Sequence, residues 1–338
     1  MHPLVAGVLA RELRATARAC RLVDDAVPGH RELLKGLFPH TGRAWIVGVT
    51  GNPGAGKSTL TDRLVAHLRK QGRRVAVVAI DPTSPYSGGA ILGDRIRMQR
   101  HFADPDVFIR SLATRGALGG LSRSARDVVR VFDAWGADVV LIETVGVGQD
   151  ELEVTRAAHS TLVVMAPGMG DDVQASKAGI LECADVFAVN KADREGADAT
   201  VRDLEVMIAL GGETVSAGAH SRSHAAGALD VAGASVRHAK GVWVPPIQRC
   251  VATKDEGTAD LLAHLERHRA WLEGTEAGRA RRAERAHEEL RATLRDALVE
   301  EAVARLGSAI DEAARAVSER AIDPYSACEA LVARFRAG

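Results

Sequence analysis

The chain has 338 residues, 46% hydrophobic and 26% charged, with a formal net charge of zero. That length suits one large α/β domain with extensions or two small domains, and the neutral balance excludes broad electrostatic attraction to nucleic acid. The longest apolar runs, such as Val75–Ile80, are too short to span a bilayer, and Cys20, Cys183, Cys250 and Cys328 form neither a disulfide framework nor a zinc-ligand spacing.

Residues 1–43 read as a helical extension. Leu9, Leu13, Ala17, Cys20 and Val23 give one stripe at helical spacing and Leu33, Leu34 and Leu37 another, with Pro28-Gly29 between them. A helical hairpin packed on the main domain is expected. Arg11, Glu12 and Arg14 interrupt the apolar stretch that an export signal needs, so a cytoplasmic location is expected.

An apolar strand over 44–50 then runs into Gly51, Asn52, Pro53, Gly54, Ala55, Gly56, Lys57, Ser58 and Thr59, which is G-x-x-x-x-G-K-S. Glycines let successive N–H groups curl around one anion, and the following helix adds the positive end of its dipole. Lys57 is placed to reach the β- and γ-phosphates of a nucleotide and the Ser58 hydroxyl to ligand Mg²⁺. Leu60, Leu64, Val65 and Leu68 make one helical face, which Gly72 ends.

Further strands are expected at 74–81, 106–112, 138–144, 160–166 and 185–190, apolar on both faces as in a largely parallel sheet covered by helices. Ligands in such sheets sit at the carboxyl ends of the strands. Asp81 ends the second strand, and Asp94 follows in the next loop. A carboxylate there can hold Mg²⁺ or orient water. Glu143 follows four apolar residues, the Walker B arrangement, with Gly146 placed to sense a γ-phosphate. The Gly-rich segment from Pro167, containing Asp171 and Lys177, is undecided on its residues alone.

Asn190, Lys191 and Asp193 at a strand end form N-K-x-D. A carboxylate accepts both the N1–H and the exocyclic amine of guanine, whereas adenine offers an acceptor in place of the first and lacks the second. Residues 211–241, rich in Gly, Ala, Ser and His, read as a flexible insertion. A strand Val242–Ala252 is expected next, bringing Val251 and Ala252 to the base, and a helix Thr258–Trp271 closes the domain with Leu261, Leu262 and Leu265 inward. From 273 to 338 the chain is Arg- and Glu-rich, with an apolar stripe of Leu290, Leu294, Leu298, Leu306, Ile310 and Val317 suited to packing on its own domain or, as the preferred reading, on a second copy of the chain. Lysine occurs seven times, and three of those, Lys57, Lys177 and Lys191, fall in these motifs.

Together GNPGAGKST, DPTSPYSGGAILGDRIRM, SLATRGALGGLS, ETVGVGQDELEV and PGMGDDVQASKAGILECADVFAVNKAD resemble the MeaB/ArgK-type G proteins, GTPase chaperones of adenosylcobalamin-dependent methylmalonyl-CoA mutase. The resemblance implies a P-loop NTPase of the SIMIBI type, a mostly parallel sheet flanked by helices with helical extensions. Its implied boundaries are 1–43, a GTPase domain at 44–272 and a dimerisation arm at 273–338. It implies a homodimer with GTP and GDP as ligands and Mg²⁺ held among Ser58, Asp81, Asp94 and Glu143. Asn190, Lys191 and Asp193 would read guanine. Residues 81–98 and 143–154, including Gln149, would switch, and Asp171 and Lys177 would couple to the mutase or a related acyl-CoA mutase. Departures are Asp150 where Ser is common and Val251-Ala252 in place of Ser-Ala. Two other classes fit less well. An amino-acid-transport kinase needs an acceptor site and base, for which no motif is present. A metal-insertion GTPase needs clustered His or Cys, and Cys183 is isolated.

Overall fold

A computed structural model describes residues 2–81, 98–113, 123–144, 157–168, 184–217 and 242–337, with backbone alone for Asp81 and 210–217. The chain divides into two compact units, Met1–Arg279 and Ala280–Gly338.

The first unit begins with α1 (Leu4–Leu9), α2 (Leu13–Asp24) and α3 (His30–Leu37). The expected hairpin is therefore three helices, and the expected first stripe is out of phase. Arg11 takes a left-handed φ of 64° between α1 and α2, so no single helix carries Leu9 through Val23. Leu13 is 48% exposed, and the buried face is Ala15, Thr16, Ala19, Cys20 and Val23.

Seven strands follow: β1 (Trp45–Gly51), β2 (Val75–Asp81), β3 (Val107–Ala113), β4 (Val139–Thr144), β5 (Ser160–Met165), β6 (Val186–Asn190) and β7 (Ile247–Cys250). All pairings are parallel, in the order β3-β2-β4-β1-β5-β6-β7. The strand expected from Val242 is only Ile247–Cys250, because Pro245 and Pro246 lack the N–H a ladder needs. Between strands lie α4 (Lys57–Lys70), α5 (Arg123–Trp135) and α6 (Ala197–Ala217), and α7 (Thr258–Gly274) closes the sheet.

Side chains alternate across the sheet, so each strand feeds two cores. Val47, Val49, Val75 and Val77 pack with Leu60, Leu64 and Leu68 of α4 and Leu261, Leu262 and Leu265 of α7. Ala76, Val78 and Ile80 face the other way, onto Val128, Phe132 and Trp135 of α5 and the N-terminal helices. With helices on both faces, the near-continuous Val/Ile/Leu runs are explained.

The amino-terminal edge of the sheet is held by polar groups. Asp133 of α5 accepts hydrogen bonds from the backbone N–H groups of Gly42, Arg43 and Ala44, at 2.5, 3.2 and 2.9 Å, and so fixes the entry into β1. On α7, fully buried His268 lies 2.8 Å from Ser160 Oγ and 3.3 Å from Asp185 Oδ1. The Trp45 indole donates to Ser160 Oγ, the Trp243 indole to the Asp185 carbonyl, and the Thr161 N–H to Asp185 Oδ2.

The second unit is helical. It contains most of α8 (Glu276–Leu306), then α9 (Ser308–Ser318) and α10 (Pro324–Ala337). Along α8, Leu290, Leu294, Leu298, Val299 and Val303 are 67, 56, 49, 56 and 54% exposed. No helix among the described residues is long and apolar enough to cross a membrane.

Candidate functional site

The loop after β1 emerges between β4 and β5, beside the point where strand placement reverses direction. Its backbone requires glycine. Gly51 has φ 127°, and a Cβ there would lie 2.1 Å from the Val164 carbonyl oxygen. Gly56 has φ 92°, and a Cβ would lie 2.3 Å from Asn190 Nδ2. These clashes come from the neighbouring strands, so the glycines answer to the sheet as well as to a ligand.

Lys57 opens α4 and is 6% exposed. Its Nζ donates to the carbonyls of Gly51 and Asn52, at 2.8 and 3.0 Å, which draws the ammonium over the loop. Ser58 follows, and its hydroxyl donates to Glu143 Oε1 at 2.5 Å. Glu143 is 1% exposed near the end of β4, in register with Val49 of β1 and Ala79 of β2. The sheet thus converts a sequence separation of 85 residues into one oxygen cluster. Thr144 donates to Thr50 Oγ1 at 3.2 Å just beyond it. Asp81 ends β2 on the adjacent strand. A buried hydroxyl against a buried carboxylate offers hard oxygen donors of the kind Mg²⁺ prefers.

The other half of the site starts at Asn190, the last residue of β6 and 2% exposed. Its amide donates to the Ala55 carbonyl at 2.8 Å and accepts from the Ala252 N–H at 3.0 Å. One side chain therefore ties the phosphate loop to the loop after β7. Lys191 takes a left-handed φ of 57°, and its Nζ donates to the Gly54 carbonyl at 2.7 Å. Asp193 is half exposed, 3.2 Å from Lys254 Nζ. Val251 and Ala252 are buried where β7 ends. Asp94, Gly146, Gln149, Asp171 and Lys177 lie outside the described residues.

Three residues that sequence reasoning passed over join this half. Arg63 and His67 of α4 reach the 252–255 turn, and Lys254 reaches Asp193. Among the described residues, the one grouping of metal-binding type is Glu284, His287 and Glu288, exposed on α8.

A phosphate loop, a Walker-type acid against its serine, and N-K-x-D tied to the same loop define a P-loop nucleotide-binding protein. The crystal structure of a LAO/AO transport system kinase shares the fold, with a TM-score of 0.64 at 23% identity over 98% of this chain and 96% of that one. The model of the family described as methylmalonyl-CoA mutase-associated GTPase MeaB matches residues 16–307. A Pyrococcus abyssi protein provisionally named a GTPase is 44% identical over 328 residues, 96% of this chain and 94% of its own length. GTPase ArgK of Escherichia coli is 44% identical over 185 residues, 53% of this chain and 56% of that one. The methylmalonic aciduria type A homolog of Caenorhabditis elegans is 41% identical over 166 residues, 48% of this chain and 42% of that one. The chain belongs to the MeaB family of GTPases.

Proposed function

We propose that this protein is a Mg²⁺-dependent GTPase that acts as a chaperone of an adenosylcobalamin-dependent acyl-CoA mutase, gating cofactor loading. The observation that carries the chemistry is the Ser58–Glu143 contact beside Lys57, which assembles phosphate and metal ligands at one helix start. The mutase as partner rests on the family match over residues 16–307. Mg²⁺, when bound among Ser58, Glu143 and Asp81, supplies neutralisation of phosphate charge. The chain's own groups do the rest. Lys57 exchanges loop carbonyls for phosphate oxygens, and backbone N–H groups of residues 51–57 surround the anion. Asp193 selects guanine by accepting two hydrogen bonds, releasing Lys254 as it does so. Basal turnover is slow, and the mutase raises it by favouring one nucleotide state. Exposed Leu290, Leu294 and Leu298 on α8 support a homodimer built through the helical unit.

The test is GTP turnover with and without the cognate mutase, followed by cobalamin transfer read by absorbance. Acceleration by the mutase, and transfer permitted by GTP but blocked by a non-hydrolysable analogue, are expected. A mutase that neither binds nor changes the rate in any nucleotide state overturns the chaperone reading. Asp193→Asn should move preference toward xanthine nucleotides, because the amide donates where the carboxylate accepts.

A further inference from the structure

The turn at 252–255 follows β7 with little secondary structure of its own. It is a single short 3₁₀ turn, Ala252–Lys254, ending at Asp255 with a left-handed φ of 60°. A left-handed non-glycine residue costs free energy and persists where surroundings hold it. The surroundings here are the polar face of α4. Arg63 Nε donates to the Ala252 carbonyl at 3.0 Å, and its Nη2 donates to the Thr253 carbonyl at 3.1 Å. One helical turn further, His67 Nε2 lies 3.0 and 3.1 Å from the two oxygens of Asp255.

Ala252 is therefore pinned at both ends. Its N–H is taken by Asn190 from the sheet side and its carbonyl by Arg63 from the helix side. The next residues carry Lys254 to Asp193. Val251 has no side-chain donor, so in this chain the turn's polar approach to Asp193 is through Lys254. Where the turn sits thus decides what faces the base-reading carboxylate. The helix that sets the turn is the one whose first residues, Lys57 and Ser58, form the phosphate site.

We propose that Arg63 is a positioning residue for base recognition: through the Ala252 and Thr253 carbonyls it seats the base-side turn on the phosphate-loop helix. The inference rests on the reading of residues 190–193 and 251–255 as the guanine side of the site. A planar guanidinium suits the task, because its donors are fixed in a fork that meets two successive carbonyls, whereas an ammonium on a flexible stem is not pre-organised for them.

The experiment is equilibrium titration of full-length protein with GDP and with ADP, together with saturating-GTP turnover and thermal melts. Variants are R63A, R63K and R63Q. R63A should weaken GDP binding by about tenfold, the scale of one lost charge-assisted hydrogen bond, and leave ADP binding within about twofold. The GDP-to-ADP preference then falls by about tenfold, with KM for GTP rising and kcat held. R63K should recover part of the preference by holding one carbonyl. Where R63A does not fold, R63Q carries the test with the same direction and a smaller loss. An unchanged GDP-to-ADP ratio overturns the proposal, and so does an equal loss of both nucleotides, which a merely structural arginine would give. A wild-type protein without guanine preference overturns the reading of the base side itself, and with it this inference. That failure is visible before any variant is made.

Discussion

The two edges of the sheet use polar residues in opposite ways. At the amino edge the buried groups of Asp133, Asp185, His268 and Ser160 meet complements within the chain. Asp133 takes three N–H groups, and Asp185, His268 and Ser160 meet one another. At the carboxyl edge, Lys57, Lys191 and Asn190 also have partners, but these are loop carbonyls and N–H groups that a phosphate or base can replace. Polar residues at the amino edge thus meet partners that stay in place, whereas several at the carboxyl edge meet loop backbone groups that a ligand can replace. Members of this fold class vary function at the carboxyl ends of strands, and the difference gives that habit a local physical cause.

The largest effect should follow from breaking the carboxyl edge. Lys57→Ala removes a buried cation that no neighbour replaces, and nucleotide affinity should fall by roughly a hundredfold, about 3 kcal/mol. The stability of nucleotide-free protein should fall by less, about 1 kcal/mol, because the bonds lost run from one side chain to two loop carbonyls. Titration calorimetry and a thermal melt on one preparation separate the two. Gly56→Ala sharpens the contrast, since its Cβ meets Asn190 Nδ2 and should lower affinity and stability together.

The converse holds at the amino edge. His268→Ala removes the imidazole from Asp185 Oδ1 and Ser160 Oγ in a fully buried site and should cost about 3 kcal/mol of stability. Asp133→Ala strands three N–H groups at the start of β1 and should cost about 2 kcal/mol. Both should keep kcat per folded molecule within twofold, measured below the lowered melting temperature. A loss of kcat with the fold intact would mean that the edges are coupled and would break the comparison.

Much of the carboxyl edge was legible because its constraints are local. G-x-x-x-x-G-K-S, the acid after four apolar residues, and N-K-x-D each occupy a strand end, and apolar runs mark strands with both faces covered. The amino edge was not legible. Asp133 reaches residues 42–44 and His268 reaches Ser160 and Asp185 across long stretches of chain, which come together only in the folded sheet. Arg63 and His67 were hidden for a different reason: charges on the polar face of an amphipathic helix read as solvated unless tertiary structure covers them. The expected N-terminal stripe failed because periodicity was carried across Arg11, where the backbone turns left-handed. The expected start at Val242 ignored two prolines that exclude a ladder.

The smallest effect concerns Asp62, which sits on α4 between the two edges. It accepts from Arg100 Nε at 2.8 Å and pairs with His101 at 3.0 Å, and Met98 beside them is fully buried. Burial pulls its carboxyl upward, but hydrogen bonds from His101 and Arg100, and their charges, outweigh this and hold it below the usual carboxylate range. The hydrogen bond from Arg69 does the same for Asp104, against a smaller burial penalty. For Asp255 burial again opposes, and His67 and Thr258 prevail. Asp127 runs the other way, raised by burial. A lowered carboxylate binds fewer protons folded than unfolded. Its contribution is therefore complete above the unfolded value near about 3.9 and is lost as pH falls through the folded value. Asp127 opposes this by favouring the fold as pH falls from its raised value. Asp323 is lowered as well, by hydrogen bonds from Ser326, so four lowered carboxylates stand against one raised. His264, lowered by burial, adds a decline as pH falls below about 6.5, and the steeper loss should come below about pH 4. Asp62→Asn should lower the melting temperature slightly at pH 7 and flatten the acid decline. The change is small because Arg100 is 42% exposed and water screens the pair. Melts of wild type and variant between pH 7 and 3 check it. Parallel curves would assign the acid limb to other carboxylates and leave Asp62 a packing residue of α4.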